Sequence, residues 1–175
     1  MLKSVLTGTA VATIVIAANV SQAQSQTVAS VKSDTFKNAS QKTAYVSLSE
    51  IERSIFEQIN QYRADRGLSR LTWNSEIARQ ARQHSENMAN RIIPFGHRGF
   101  DERAKSISKS VGYQLVSENV AYMTRRQNPA VKVVKAWIES TKHRENIEGN
   151  FTMTGIGVSV SPTGDYYFTE VFIQK

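Results

Sequence analysis

Three short groups of polar residues stand out along the chain: Gly96-His97, Ser117-Glu118-Asn119 and Ser140-x-x-His143. The chain has 3 histidines, and two of them fall in these groups with a glutamate between them in sequence. Imidazole and carboxylate groups that a rigid scaffold brings together can bind a ligand, move a proton or hold a metal ion. The candidate binding cleft therefore consists of His97, Glu118, Ser140 and His143.

Two chemical interpretations of these residues remain open. His97, Glu118 and His143 form a donor set that suits zinc or another divalent cation, with a position left for water. Zinc would make that water acidic enough for hydrolysis. The same side chains could equally form a hydrogen-bonded polar network, because the chain has no His-Glu-x-x-His motif.

A nucleophilic enzyme is disfavoured by the sequence. The chain contains no cysteine and no Gly-x-Ser-x-Gly elbow. Ser140 and His143 are spaced to share a helical face, but no acid stands in a known register with them. We predict that His143 lies at the end of a helix, where the dipole favours a cation, and that Asn146 is a cap or turn residue.

The third histidine, His84, is predicted to be structural. It shares an apolar helical face with Ile77, Ala81 and Met88. A histidine in that position is expected to be buried and hydrogen-bonded through one ring nitrogen, so it is excluded from the site.

The N-terminus has the pattern of an export signal. Lys3 supplies a positive charge, and the run from Val5 to Ala18 is apolar or small. This run of about 14 residues is shorter than the roughly 20 needed to span a membrane. We predict that residues 1–23 are a signal peptide cleaved after Ala23.

The remaining chain divides into a leader and one domain. Residues 24–47 are polar and predict a flexible leader, whereas residues 48–175 are long enough to form a hydrophobic core without disulfides. The net charge of +7 favours anionic surfaces, but no nucleic-acid motif accompanies it. We expect a secreted or periplasmic monomer with no transmembrane segment after signal cleavage. Its partner would be a small molecule, a lipid or an envelope polymer, and no specific nucleic acid.

Apolar periodicity predicts the elements that position the cleft. Ile51, Ile55 and Ile59 form one helical face, opened by a Ser49-x-x-Glu52 capping box and ended by Gly67. Further helices are predicted from Asn74 to before Pro94, around 102–109 and from Pro129, with the rest of 92–116 irregular.

The C-terminal segment changes to β-branched and aromatic residues. Residues 155–160 and 166–173, joined by the turn 161–165, predict an antiparallel hairpin. Helices followed by strands predict an α+β fold, with helices packed on a small sheet.

Six motifs occur in a characteristic order. They are Ile59-Asn60-x-x-Arg63, Ala81-x-x-His84-Ser85-x-x-Met88-Ala89, Gly96-His97-x-Gly99-Phe100, Ser117-Glu118-Asn119-Val120-Ala121, Trp137-x-x-Ser140-x-x-His143-Arg144-x-Asn146-Ile147 and Thr154-Gly155-Ile156-Gly157-Val158. In this order they resemble the CAP superfamily (cysteine-rich secretory proteins, antigen 5 and pathogenesis-related proteins), and most of all its cysteine-free bacterial branch.

The resemblance implies a three-layer α-β-α sandwich with a small antiparallel sheet. It also implies a cleft with two histidines and acidic partners, here His97, His143 and Glu118. The family's eukaryotic members have a second glutamate three residues after the helix tryptophan, and Ser140 stands there in this chain. That departure weakens any mechanism that needs two carboxylates.

The expected function is therefore that of a secreted, non-catalytic binding protein whose cleft holds a small ligand or a divalent metal. One alternative is a metal-dependent hydrolase or peptidase acting in the cell envelope. The other is a basic module that interacts with the envelope through its surface charge alone.

Overall fold

The computed structural model describes residues 46–124 and 127–175. The predicted signal peptide and nearly all of the predicted leader lie outside the described residues. The described residues form five helices and four strands: α1 (Leu48–Ala64), β1 (Thr72–Trp73), α2 (Ser75–Ala89), α3 (Phe100–Ser108), β2 (Leu115–Met123), α4 (Pro129–Glu139), α5 (Thr141–Glu148), β3 (Met153–Val160) and β4 (Tyr166–Gln174).

The four strands form one mixed sheet in the order β1-β3-β4-β2. The short β1 runs parallel to β3, and the other pairs are antiparallel. The predicted C-terminal hairpin is confirmed as β3 and β4. Strand β2 pairs with β4 on one side only, so the Ser117-Glu118-Asn119 group lies on an edge strand.

Alternate residues of β4 face two different helical layers. Phe168 and Phe172 pack into a core with α1 and α4, whereas Val171 and Ile173 pack with α2 and α3 on the opposite face. The expected α+β fold with three layers is thus confirmed. No helix among the described residues combines the length and the apolar character needed to cross a membrane.

Helix α2 lies directly on the backbone of β3. A Cβ atom at Gly155 would stand 2.2 Å from the Ala78 nitrogen, and one at Gly157 would stand 2.0 Å from the Arg82 nitrogen. Any side chain at either glycine would therefore push the helix away from the sheet. The Ser85 hydroxyl donates a hydrogen bond to the Gly157 carbonyl at 2.9 Å, which fixes α2 along the strand.

The Asn60-x-x-Arg63 motif joins α1 to two loops. Asn60 makes two hydrogen bonds to the backbone of Leu71, at 2.7 Å and 3.1 Å. Arg63 is 2% exposed, and its guanidinium donates to the carbonyls of Ser69, Ile147, Gly149 and Phe151. Burial lowers the Arg63 pKa, but the ring of carbonyls satisfies the charged group.

The predicted start of α1 is wrong by two residues. Ser47 and Glu50, not Ser49 and Glu52, form the capping box. Glu52 is buried instead: it accepts two hydrogen bonds from the Arg82 Nε and Nη2 groups and one from the Val158 backbone at 3.1 Å. The Glu52 carboxylate therefore satisfies a backbone N–H group of β3 at a position where β1 does not pair with that strand.

Other local predictions are confirmed. Asn74 caps α2 with its side chain, Pro129 occupies the first turn of α4, and Gly67 has a φ of 69° in the left-handed region. Two elements were missed: neither residues 72–73, which form β1, nor residues 115–123, which form β2, were predicted to be strands. Glu118, Asn119 and Val120 are all buried in β2, so the alternation that identifies a half-buried strand is absent.

Candidate functional site

The Glu118 carboxylate is held in a buried pocket beside the edge strand. Its side chain is 2% exposed. Arg103 of α3 donates from Nε to Oε2 at 2.9 Å and from Nη2 to Oε1 at 2.8 Å. A buried carboxylate is costly unless it is paired and hydrogen-bonded, and this two-pronged contact supplies both conditions.

The imidazole of His97 lies against the same carboxylate. His97 Nδ1 is 2.9 Å from Glu118 Oε1, and the side chain is 56% exposed. Since a carboxylate accepts hydrogen bonds, Nδ1 carries a proton, and in the neutral imidazole Nε2 then keeps its lone pair. The contact thus orients one basic ring nitrogen for a ligand. A hollow of about 260 Å³ lies beside it, lined by His97, Phe100, Val116, Ser117 and Glu118.

Arg103 is the site residue that the sequence did not reveal. It lies on the buried face of α3 beside Ala104 and Ile107, and its side chain is 10% exposed. An arginine among the apolar positions of a short helix was the available signal, because such a residue needs a buried acceptor. Its partner could not be identified from sequence.

His84 is buried as predicted, but it is connected to the site. Arg103 Nη1 donates to His84 Nδ1 at 2.9 Å, so the ring proton is on Nε2, which donates to the Gly96 carbonyl at 2.8 Å. Both ring nitrogens are bonded, where one was expected. Burial, followed by the positive charge of Arg103, lowers the His84 pKa.

These contacts fix the loop that carries His97. His84 binds the loop at Gly96, and Arg103 Nη1 also donates to the Arg98 carbonyl at 3.0 Å. His97 is therefore anchored on both sides by its chain neighbours and in the middle by Glu118. An imidazole with so little freedom is preorganised for binding.

His143 does not occupy the predicted position in a helix. Helix α4 ends at Glu139, Ser140 is extended, and α5 begins at Thr141. His143 is thus in the first turn of α5, where the helix dipole disfavours a cation. Burial, followed by the His97 imidazole, lowers the His143 pKa. The predicted stabilisation by a helix C-terminus is wrong, because His143 is near the start of α5.

Ser140 and His143 form a second pair. The Ser140 hydroxyl lies 2.8 Å from His143 Nδ1 and makes no capping hydrogen bond to the α5 backbone. Within the described residues, no carboxylate bonds to the His143 ring. The pair resembles an oriented imidazole more than an activated serine nucleophile, which needs a base that is itself held by an acid.

A chain of hydrogen bonds joins β2 to α5, between the His97–Glu118 pair and the Ser140–His143 pair. Asn119 donates to the His143 carbonyl at 3.0 Å, Asn146 donates to Asn119 Oδ1 at 2.8 Å, and Ser117 donates to Asn146 Oδ1 at 2.6 Å. Asn146 lies inside α5, so its predicted role as a cap or turn residue is wrong. It joins α5 to the edge strand.

The four predicted residues thus form two hydrogen-bonded pairs near the edge strand β2. One pair is His97 with Glu118, and the other is Ser140 with His143. Glu118 and His97 lie on the α3 side, whereas Ser117 and Asn119 face α5, because alternate strand residues point to opposite faces. Burial is the main cause of the lowered His143 pKa, and the His97 imidazole adds to it. His143 does not line the hollow beside His97.

The donor atoms for a metal are limited. No group of three or more His, Cys, Asp or Glu side chains in the described part of the chain is arranged to hold a metal ion. Both Glu118 oxygens already accept hydrogen bonds. The lone pairs that suit a divalent cation are those of the two imidazoles, with Glu118 orienting His97 from behind. The predicted metal site stays a prediction.

A larger hollow, of about 380 Å³, lies between α1, β1 and α2, away from both histidine pairs. It adjoins the Glu52–Arg82 ion pair and the rings of Phe56 and Trp73, whose centroids are 5.5 Å apart. Two of the charged groups on its wall, Glu52 and Arg82, bind each other. We therefore place the candidate site at the histidines, where a basic nitrogen remains available.

Comparison with known proteins identifies relatives of this chain. The chain is 32% identical over 136 residues to the uncharacterized protein YkwD of Bacillus subtilis. The aligned region covers 74% of this chain and 49% of YkwD. A solved extracellular protein containing an SCP domain, from Bacillus anthracis, is 28% identical with a TM-score of 0.60, over 73% of this chain and 41% of that one. This chain thus spans about half or less of either relative.

A third similarity concerns the fold alone. An outer surface protein of Borrelia burgdorferi has a TM-score of 0.62 at 19% identity, and the match covers 74% of this chain and 96% of that protein. The family described as CAP, cysteine-rich secretory protein family, matches residues 56–173, from the middle of α1 to the end of β4. The chain belongs to this cysteine-rich secretory protein family.

Proposed function

We propose that this chain is an extracytoplasmic binding protein and that the exposed imidazole of His97 contacts its ligand. The proposal is supported by one observation: both carboxylate oxygens of Glu118 already accept hydrogen bonds from Arg103 and His97. A general base or metal-bound carboxylate needs a lone pair that faces the ligand. Glu118 instead orients the histidine, and His97 Nε2 is the group left for recognition.

The extracytoplasmic location rests on two supports. The sequence has the pattern of a signal peptide, and the related Bacillus anthracis protein is described as extracellular. The ligand is a small molecule or a divalent metal. If a metal binds, His97 and His143 are the residues that would hold it, and the metal would supply Lewis acidity to a bound water.

Titration with Zn²⁺ tests the metal form of this proposal. We expect calorimetry to show binding to the wild type and at least a tenfold loss of affinity in the H97A/H143A double variant. K142A is the matched control, because Lys142 is exposed and adjoins His143 in sequence. Equal affinity in wild type and double variant would exclude the two imidazoles as ligands.

Native mass spectrometry of the exported protein tests the small-molecule form. We expect a copurified mass that is retained in K142A and lost in the double variant. A bound mass that the double variant keeps would place the ligand elsewhere on the protein.

A hydrolase is the second candidate, because an imidazole oriented by a carboxylate is also the arrangement of a general base. Release of fragments from peptidoglycan or an unfolded peptide would measure it. Activity that disappears in H97A and on chelation supports the metal-dependent hydrolase. Activity that survives both changes rules it out.

The third alternative, a basic envelope module, derives from the net charge of +7. Retention on an anionic polymer should then fall steeply with salt. It should not respond to H97A or H143A.

A further inference from the structure

We propose that the loop of residues 91–98 docks this protein onto an anionic lipid surface, with Ile92 and Phe95 entering the interface. This role is separate from ligand binding by His97. It would place the histidine site close to the membrane surface.

The loop presents apolar side chains to solvent. Ile92 is 69% exposed, the highest value among the large hydrophobic residues of the described chain, and Phe95 is 56% exposed. Phe95 lies 6.2 Å from the ring of Tyr122, which is 45% exposed, and Tyr122 lies 5.1 Å from the ring of Tyr167. Phe95 and Tyr122 thus form an exposed aromatic pair, and Ile92 is exposed in the same loop as Phe95, as expected for an interaction surface.

The charge around the patch fits an anionic partner. Arg91 and Arg98 flank the apolar residues, and no acidic residue occurs in the sequence between Glu86 and Asp101. Asp165 is an acidic neighbour of Tyr167, on which Arg91 also acts. Apolar side chains that enter the interface, with arginines level with the head groups, are the pattern of a peripheral membrane contact. Tyr122 adds an amphipathic ring of the kind found at membrane interfaces.

Arg91 occupies a backbone position that favours glycine. Its φ is 58°, and the hydrogen bonds from Arg91 to Met88 and from Ile92 to Asn87 form a Schellman motif at the end of α2. Glycine would adopt this conformation without strain, so the side chain is the feature that arginine adds. A hollow of about 220 Å³ opens beside it, lined by Arg91, its two preceding residues and 161–163.

The loop is already ordered before any docking. The Schellman hydrogen bonds hold its start, and the contacts of His84 with Gly96 and of Arg103 with Arg98 hold its end. Docking therefore requires little further ordering. The aliphatic Ile92 at the most exposed point favours a lipid over a glycan, which binds flat against aromatic rings.

Vesicle binding by the full chain tests the proposal. Vesicles of phosphatidylcholine with about one third phosphatidylglycerol are compared with pure phosphatidylcholine, using I92S/F95S against the control L115S/V131S. Leu115 and Val131 are 50% and 54% exposed, so the control removes similar apolar surface elsewhere, and every variant keeps the same N-terminus. We expect a loss of affinity for the anionic vesicles of about tenfold or more in I92S/F95S only.

Two further variants separate docking from folding. R91G should bind anionic vesicles several-fold more weakly while its Tm stays the same or rises, because glycine relieves the positive φ. The chain has no cysteine, so I92C carries a single environment-sensitive dye. Its emission should shift to the blue on anionic vesicles, and that of L115C should not.

Several results would overturn the proposal. One is equal vesicle affinity in I92S/F95S and its control, and another is an I92C dye that stays in water. Dextran sulfate serves as a model anionic glycan. If I92S/F95S lost binding to dextran sulfate but kept its vesicle binding, the partner would be an anionic glycan instead. Zn²⁺ titration of I92S/F95S should match that of the wild type, so failure of the ligand proposal is distinguishable from failure of this one.

Discussion

Glu118 of β2 and Glu170 of β4 are buried carboxyl groups on neighbouring strands, but their surroundings differ. Both oxygens of Glu118 accept hydrogen bonds from charged or ring nitrogens. Glu170 is fully buried: its Oε1 accepts from the Thr154 hydroxyl at 3.1 Å, and its Oε2 has no partner among the described residues. Burial raises the Glu170 pKa to about 8, against the hydrogen bond from Thr154 and the charge of Arg63.

The difference follows from the position of each strand in the sheet. Strand β2 is an edge, where α3 brings Arg103 to Glu118 and solvent reaches His97. Strand β4 is central and covered by helices on both faces, so the acid of Glu170 is protonated at neutral pH. A carboxyl group at the covered centre of the sheet is part of the buried core, whereas a carboxylate on the edge strand can take part in a binding site.

Removal of Arg103 should have the largest effect, because it would leave the Glu118 charge buried and unpaired. We expect R103M to lose about 3–5 kcal/mol of unfolding free energy in urea denaturation. The double variant R103M/E118Q should recover much of this loss. If R103M were as stable as the wild type, the proposed role of Arg103 as the counter-charge would be wrong.

The Glu170 proton should make stability depend on pH. Below about pH 4.5 the group is protonated in both the folded and the unfolded chain, so its contribution is fully present. Between the unfolded pKa of 4.5 and the folded value of about 8, only the folded chain keeps the proton. Stability is therefore lost as pH rises through this window, and the loss is complete above it.

From pH 5 to pH 7 this loss amounts to about 2–3 kcal/mol, since one proton corresponds to about 1.4 kcal/mol per pH unit. The variant E170Q mimics the protonated acid and should lack this component. Urea denaturation of both proteins at several pH values measures the difference, which also cancels the titration of His84 and His143. Parallel pH profiles would contradict a buried proton on Glu170.

A third buried carboxylate, Glu52, should give a smaller effect. Its partner Arg82 is 46% exposed and the pair adjoins the 380 Å³ hollow, so water can reach Glu52 when Arg82 is removed. We expect R82M to cost about 1–2 kcal/mol by urea denaturation, less than R103M. R79M is the control: its partner Glu76 is on the surface, so the change should be close to zero. A loss in R82M as large as that in R103M would show that exposure of the cation does not set the cost.

Sequence patterns predicted the elements that have a clear local signal. The isoleucines of α1 mark a single apolar face, Asn74 marks the cap of α2, and the β-branched and aromatic residues mark the hairpin. The α1 cap was displaced because the sequence Ser47-Leu-Ser-Glu50-Ile-Glu52 contains two overlapping S-x-x-E registers. Only the contact of Glu52 with Arg82, thirty residues later, distinguishes them.

The candidate site was less predictable, since its contacts join distant segments. The pair of His97 and Glu118 came from the order of motifs, but Arg103 carried no motif. The helix break at Ser140 has neither glycine nor proline to mark it. Its hydroxyl bonds to His143, and such a contact appears only when the coordinates are known.

Arg63 gives the fold a property that its composition alone does not explain. One guanidinium binds four main-chain carbonyls from two loops and the end of α5. Small exported domains often join such segments by covalent cross-links instead. Thiol reagents and reductants have no bond to attack in this fastening. The domain should therefore mature without oxidative folding enzymes, and it should refold equally well in reducing and oxidising buffers.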